Sequence, residues 1–380
     1  MGNFLLSHQI KFASGYKDKA LLAHEGGSGK TICACVWLHD KRDNDALVVC
    51  PKKVVRKWQN ELKKWQTKAT VVSKENYKNL PLKEWSARVI DEADEFGSAL
   101  FIKGTSALSK KLYEQVKTYP DTPTLLLTAT PVRSTPYNLH SLLCYMNKYI
   151  DWKLWRQTFF DLKYPSELRY LTRPSYIPKS DWREKIQIQL KKYADIVNLR
   201  DITDLPPLIE EKILVKTPKY AKLPEATVFY DEHRWEQQNK IKEILEIGKE
   251  YSKIIVVAYY VEQVELLRKE LSKDRKTFVI YGKVKDQELI AEEANKFEGE
   301  CFFIIQASCG SAFDADNFSC MIYASMSYAV RDFVQMNFRV RRIHNLHPVM
   351  RYYLVAGRCD KAILANVEAG KSFVPSEWKK

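Results

Sequence analysis

His24-Glu25-Gly26-Gly27-Ser28-Gly29-Lys30-Thr31 follows a short apolar run, Ala20 to Ala23, and leads into a stretch, Thr31 to His39, that suits a helix. An apolar strand, a glycine turn and a helix, in that order, build a phosphate cradle. The glycines let the backbone N–H groups of Gly27, Ser28 and Gly29 turn onto phosphate oxygens. The N-terminus of the following helix faces the anion. Lys30 would reach the β and γ phosphates, and the Thr31 hydroxyl would face Mg²⁺. A strict P-loop has glycine where His24 stands, so His24 reads as a packing or capping residue.

Further along, Val89-Ile90-Asp91-Glu92-Ala93-Asp94 ends another apolar run in carboxylates. At the C-terminal edge of a strand beside a P-loop, Asp91 can hold Mg²⁺, and Glu92 can orient or deprotonate the attacking water. Without Lys30 upstream, the same letters would read as an acidic surface turn. A third run, Leu125-Leu126-Leu127, closes on the hydroxyls of Thr128 and Thr130. Far downstream, Gln335, Arg339 and Arg342 are spaced i, i+4, i+7, which on one helix puts them on one face. There the two arginines could neutralise charge developing on a transferring phosphate. A merely basic helix face is the alternative for that segment alone. Taken in order, the segments point to an NTP-driven motor rather than a binding module.

In this order the motifs resemble those of superfamily 2 helicases and translocases, and most of all the Swi/Snf branch. Leu6-Ser7-His8-Gln9 resembles the adenine-reading glutamine motif, His24 to Thr31 motif I, and Val49-Cys50-Pro51 leading to Trp58 and Glu61 motif Ia. Asp91 to Asp94 is similar to motif II, spelled DEAD where Swi/Snf proteins more often have DEAH, and Thr128-Ala129-Thr130-Pro131 to motif III. Asp204-Leu205-Pro206-Pro207 resembles the connector into a second lobe. Ile254 to Tyr260, Ser308 to Asp314 and Gln335 to His344 resemble motifs IV, V and VI. The DEAD string alone would suggest a DEAD-box RNA helicase, but Pro51-Lys52-Lys53 and the Gln-led motif VI differ from that family's pattern. The motif V stretch carries less glycine than is usual.

The resemblance implies two RecA-like parallel-sheet lobes: an ATP-binding lobe over 1–150, a helical connector over 151–207 and a second lobe over 208–380. It implies ATP and Mg²⁺ as cofactors, bound through Gln9, Lys30, Thr31, Asp91 and Asp314. Lys30, Glu92, Gln335, Arg339 and Arg342 would act in hydrolysis, and Thr128 and Thr130 in coupling it to movement. The expected activity is translocation on duplex or branched DNA, with or without strand separation. The rivals are an RNA helicase and a nucleic-acid-gated scaffold that binds ATP and barely hydrolyses it.

At 380 residues and 45% hydrophobic content the chain can build two ordinary cores. With 61 basic and 47 acidic residues its net charge is +14, which favours a polyanionic partner. Short apolar strands alternate with amphipathic stretches from Ala20 to Thr128, the α/β pattern. Tyr137 to about Asn198 reads as helical, with Trp152, Trp155, Phe159, Phe160 and Trp182 in a core. Strand signals then resume at Ile213 to Val215, Ile254 to Ala258, Thr277 to Tyr281, Phe302 to Ile305, Met321 to Ala324 and Tyr352 to Ala356.

Pro51 to Lys68 carries seven basic residues, while Val54, Trp58, Leu62 and Trp65 recur at helical spacing, so one face packs and the other is basic. Lys52 and Lys53 fall where strand meets helix and can grip a phosphate. By resemblance, Gly282, Lys283 and Ser308 make backbone contacts in the second lobe. Such contacts read no bases, so little sequence specificity is expected. The eight cysteines form no C-x-x-C pair, so reduced buried thiols, a cytoplasmic reducing compartment and no zinc are expected. No apolar run spans a membrane. A monomer is expected, and the lean core suggests a virus or mobile element.

Overall fold

The computed structural model describes residues 5–15, 17–40, 45–97, 100, 105–132, 135–148, 150–167, 173–198, 207–216, 237–310, 315, 317–337, 339–340 and 348–369. By internal contacts the chain divides into Met1–Ile202 and Thr203–Lys380.

The first unit is built on β1 (Lys19–His24), β2 (Leu47–Cys50), β3 (Thr70–Ser73), β4 (Arg88–Ile90) and β5 (Thr124–Leu127). A hairpin of β6 (Phe160–Lys163) and β7 (Ser175–Pro178) and then β8 (Ala194–Val197) follow. The sheet order is β3-β2-β4-β5-β1-β8, with every pairing parallel; β6 and β7 pair antiparallel on their own. Successive side chains of a strand point to opposite faces, and both faces are covered. Leu47 and Val49 enter one core with Ile90 and Leu126, while Val48 and Cys50 enter the other with Val89 and Leu125. Burial on both faces is why these strands read as continuous apolar runs.

The second unit repeats the plan with β9 (Leu208–Val215), β10 (Lys253–Ala258), β11 (Lys276–Ile280), β12 (Cys301–Gln306), β13 (Cys320–Tyr323) and β14 (Val349–Ala356). The order is β11-β12-β10-β13-β14-β9, again all parallel. Ile255 and Val257 face one core, and Ile254, Val256 and Ala258 the other. The two α/β units with parallel sheets are as the sequence leads one to expect. All six strands expected in the second unit are present.

Two local expectations change. The stretch expected as helical between Tyr137 and Asn198 does hold helices Tyr137–Tyr145, Trp152–Phe159 and Trp182–Tyr193. Trp155, Phe159, Phe160 and Trp182 are buried there, as expected. It also supplies the β6–β7 hairpin and β8, which pairs with β1 from Leu21↔Ala194 to His24↔Val197. Edge strand β8 reads Ala-Asp-Ile-Val and lacks the long apolar run of a strand covered on both faces. The second change is in the arginine segment. Gln335 and Arg339 do not share one helix, because the helix Val330–Asn337 stops before Arg339. The guanidinium of Arg351 donates to the Asn337 carbonyl at 3.3 Å, and the Arg339 N–H turns back to Met336 O at 3.0 Å. Arg342 lies outside the described residues, as do Asp314 and 204–206 of the connector motif.

The eight cysteines are all free, and all but Cys144 are buried. Among the described residues no helix is long and apolar enough to cross a membrane.

Candidate nucleotide and nucleic-acid sites

The P-loop leaves β1 at the C-terminal edge of the first sheet, and the acidic segment leaves β4 at the same edge. One strand, β5, stands between them. In the loop, Gly27 and Gly29 take φ of +84° and +82°, backbone that a side chain rarely tolerates. A Cβ at Gly29 would also collide with the amide of Gln9. Helix Lys30–Asp40 begins directly after the turn. The Lys30 ammonium folds over the loop and donates to the carbonyls of His24 at 2.8 Å and Glu25 at 3.2 Å. Thr31 is half-buried beside it.

Gln9 sits on the helix Ser7–Ser14 and is 2% exposed. Its Oε1 accepts from Leu6 N at 2.9 Å and its amide donates to Ser28 O at 3.4 Å. The residue expected to read adenine is therefore packed on the loop itself.

The acidic segment is braced from three sides. Asp91 Oδ1 accepts from Glu92 N at 2.9 Å, and Oδ2 accepts from the indole N–H of Trp58 at 2.9 Å. Glu92 takes left-handed backbone, φ +47° and ψ +52°, a conformation that costs a non-glycine residue about 1–3 kcal/mol. Strain of that size persists where surroundings hold it, and Lys74 is the holder. Its nearly buried ammonium donates to Glu92 O at 3.0 Å and to Glu95 Oε2 at 2.7 Å. Asp94 is 1% exposed. Its two oxygens accept from Thr128 Oγ1 at 2.9 Å and Thr130 Oγ1 at 3.2 Å, and Thr130 N closes the turn on Thr128 Oγ1 at 3.0 Å. These bonds tie the turn after β4 to the end of β5.

This donor set fits a nucleotide with its cation. Glycine-turn amides and an ammonium suit phosphate oxygens, and a hydroxyl with a carboxylate suits a hard divalent ion. Trp58 was legible only as a packing indole and Lys74 carried no signal, because nothing in sequence spacing says which buried polar atom meets which carboxylate.

Lys52 and Lys53 are exposed in a single turn, Lys52–Val54, between β2 and helix Val55–Lys64. That helix buries Trp58 and Leu62 and turns Arg56, Lys63 and Lys64 outward, as its spacing predicts.

In the second unit, Gly282 and Lys283 are exposed after β11, and Ser308 is exposed after the adjacent β12. Gln306 joins these strand ends to β10. Its Oε1 accepts from Gly282 N at 3.0 Å and its amide donates to Tyr259 O at 3.4 Å. The Gly282 amide expected to meet a phosphate is thus held by a side chain. Gln335 is buried on the helix Val330–Asn337. Arg339 lies in the turn that follows Asn337.

Residues 5–78 match the family model of the SNF2-related domain. No curated protein matches the chain. Among solved structures the chain is similar to the Sulfolobus solfataricus SWI2/SNF2 ATPase core in complex with dsDNA. The identity is 16%, covering 99% of this chain and 94% of that one, with a TM-score of 0.43. The SNF2-related match falls on the P-loop end of a chain that folds as two parallel six-stranded sheets.

Proposed function

We propose that the chain is a DNA-dependent ATPase that moves on duplex or branched DNA with little sequence preference. The observation that carries this reading is the shared sheet edge. The P-loop after β1 and the strained Asp91-Glu92 pair after β4 flank β5, whose two threonines hold Asp94. Bound MgATP would supply the phosphoryl group to be transferred to water. Lys30 would balance phosphate charge, and Thr31 and Asp91 would hold Mg²⁺. Glu92 would orient the water. Gln9 would couple the adenine side to the loop through Ser28, and Asp314 is assigned to nucleotide contact. Gln335, Arg339 and Arg342 would meet the charge that develops during transfer. Exposed Lys52, Lys53, Lys283 and Ser308, with Gly282, would follow the DNA backbone, and the net charge of +14 supports a polyanionic track. A monomer in a reducing cytoplasm is part of the same proposal.

The test is steady-state ATPase with duplex DNA, single-stranded DNA and RNA as separate activators, run beside Lys30→Ala. Stimulation by DNA that vanishes in Lys30→Ala, by a factor of about 10³ or more on the scale of other phosphoryl-transfer charge deletions, is expected. Near-normal turnover in that variant would overturn the motor reading. Stimulation by RNA alone would overturn the choice of DNA.

A further inference from the structure

Three residues from three separate segments converge against the P-loop. His8 is on helix Ser7–Ser14, His24 ends β1, and Cys33 is in the first turn of helix Lys30–Asp40. One ring nitrogen of each histidine and the Cys33 sulfur all lie within 4.8 Å of one another. The rings meet edge to face, with centroids 5.8 Å apart. His24 and Cys33 are buried and His8 is half-buried.

The hydrogen bonds settle which nitrogens are left to act. His8 Nε2 faces the Ser28 carbonyl at 2.9 Å, and His24 Nε2 faces the Asp195 carboxylate at 3.3 Å. Neither oxygen can donate, so Nε2 is the donor on each ring, and in the neutral imidazole this leaves the lone pair on Nδ1. Both Nδ1 atoms are buried and have no hydrogen-bond partner. Two buried lone pairs beside a thiol are poor core packing and a good ligand set. Metal-bound histidines characteristically give their other N–H to a carboxylate or a backbone carbonyl, which fixes tautomer and ring orientation. Both arrangements are present here, one on each ring.

We propose that His8, His24 and Cys33 form a site for a borderline-soft divalent cation of the zinc class, with Asp195 and the Ser28 carbonyl orienting the two imidazoles. Two nitrogens and a sulfur select zinc-like ions over Mg²⁺, which takes oxygen ligands, and leave a fourth tetrahedral position for water. Binding releases the thiol proton to solvent and forms one metal–sulfur and two metal–nitrogen bonds, with no redox change. The ion would tie the helix of Gln9, the end of β1 and the helix of Thr31 into one body. It would stiffen the loop that the proposed nucleotide must enter, and so act as a brake on that loop.

The sequence gives no hint of this site, since its residues are scattered through the first 33 positions with no C-x-x-C or H-x₃-H spacing.

The experiment is Co²⁺ titration of the full chain after chelator treatment, followed by absorption. It is independent of hydrolysis, because an inactive chain would still bind cobalt. One equivalent should give tetrahedral d–d bands and a thiolate-to-cobalt charge-transfer band, displaced by Zn²⁺ and untouched by excess Mg²⁺. Cys33→Ala should lose the charge-transfer band. His8→Gln should keep that band while binding about 10–100-fold more weakly, and Asp195→Asn should weaken binding over a similar range. Zn²⁺ should raise the melting temperature of the unaltered chain, and by less that of His8→Gln at the same Zn²⁺ concentration. No band in the unaltered chain overturns the proposal, and so does an unchanged band in Cys33→Ala, which would point to another cysteine. Should Cys33→Ala not fold, His8→Gln decides: unaltered cobalt affinity there overturns the site.

Discussion

The strand ends of the first sheet and those of the second hold their polar groups in different ways. In the first, the acidic groups at the edge are gripped by neighbours before any ligand arrives: Asp91 by Trp58, Asp94 by Thr128 and Thr130, and the backbone of Glu92 by Lys74. In the second, the residues expected to meet a ligand are exposed after their strands, as Lys283 and Ser308 are, or lie in a turn after a helix, as Arg339 does. That unit also holds a buried charge pair at the ends of β13 and β14, where Lys240 meets Asp360 at 2.6 Å with both side chains 0% exposed. Groups that must hold a cation and a water at fixed positions need rotamers locked by packing and hydrogen bonds. Groups that follow a polymer backbone need reach and solvent access.

The sharpest break of this comparison is Asp360→Asn. The Lys240 ammonium also donates to Ala324 O at 2.6 Å, and Asp360 also accepts from Ala356 N at 2.9 Å, so the pair is knitted into the ends of β13 and β14. Removing one charge strands the other in the core, which costs about 3–5 kcal/mol. Urea denaturation should show a drop in stability of that size. A drop under about 1 kcal/mol would mean that the buried pair is not what organises the second unit.

Next in size is Trp58→Phe, which keeps the aromatic packing at a residue 1% exposed and deletes one hydrogen bond to Asp91. A hydrogen bond to a charged group contributes about 1.5–3 kcal/mol. The Mg²⁺ concentration needed for half-maximal ATPase should rise by about tenfold, since about 1.4 kcal/mol is a factor of ten. An unchanged Mg²⁺ requirement alongside lowered stability would mean that the indole braces the fold and not the ion-holding carboxylate.

The same contrast explains what could be read before the structure. Strands covered on both faces declare themselves as apolar runs, so β1, β2, β4, β5, β10, β12, β13 and β14 were visible, and with them the turns that follow, while of the exposed edge strand β9 only Ile213 to Val215 was legible. Edge strand β8, Ala-Asp-Ile-Val, has a mixed pattern and was hidden within an expected helical stretch. The turn residues Lys30, Asp91, Lys52 and Lys53 were legible because position after a strand determines where they stand. Their partners were not. Trp58 fits its helix's apolar stripe whether or not it donates to Asp91, and Gln306 looks like any strand-end amide. The spacing of Gln335, Arg339 and Arg342 suggested one helical face. The helix ends at Asn337, whose carbonyl accepts from Arg351, distant in sequence. Tertiary partners of this kind have no periodic signature.

The smallest expected effect falls on the exposed lysines, and it compares the two units directly. Lys52→Gln with Lys53→Gln removes two surface charges after β2, and Lys283→Gln removes one after β11. None of the three is buried, so stability should change by no more than about 0.5 kcal/mol in either variant. The readout is the slope of log affinity against log salt on duplex DNA, measured without nucleotide. The slope should flatten by about 0.9 for every DNA phosphate that the protein no longer neutralises. If both strand edges track the backbone, the double variant should flatten it by up to about twice as much as Lys283→Gln. Because distant surface sites act independently, the combined variant should add the two effects. The weakening should be the same on DNA of any sequence, because lysine-to-phosphate pairs read no bases. A slope unchanged by Lys283→Gln but flattened by the first pair would confine DNA binding to the first unit. A slope unchanged by both would mean that the exposed lysines are only solvated, and that the net charge of the chain serves something other than a nucleic-acid track.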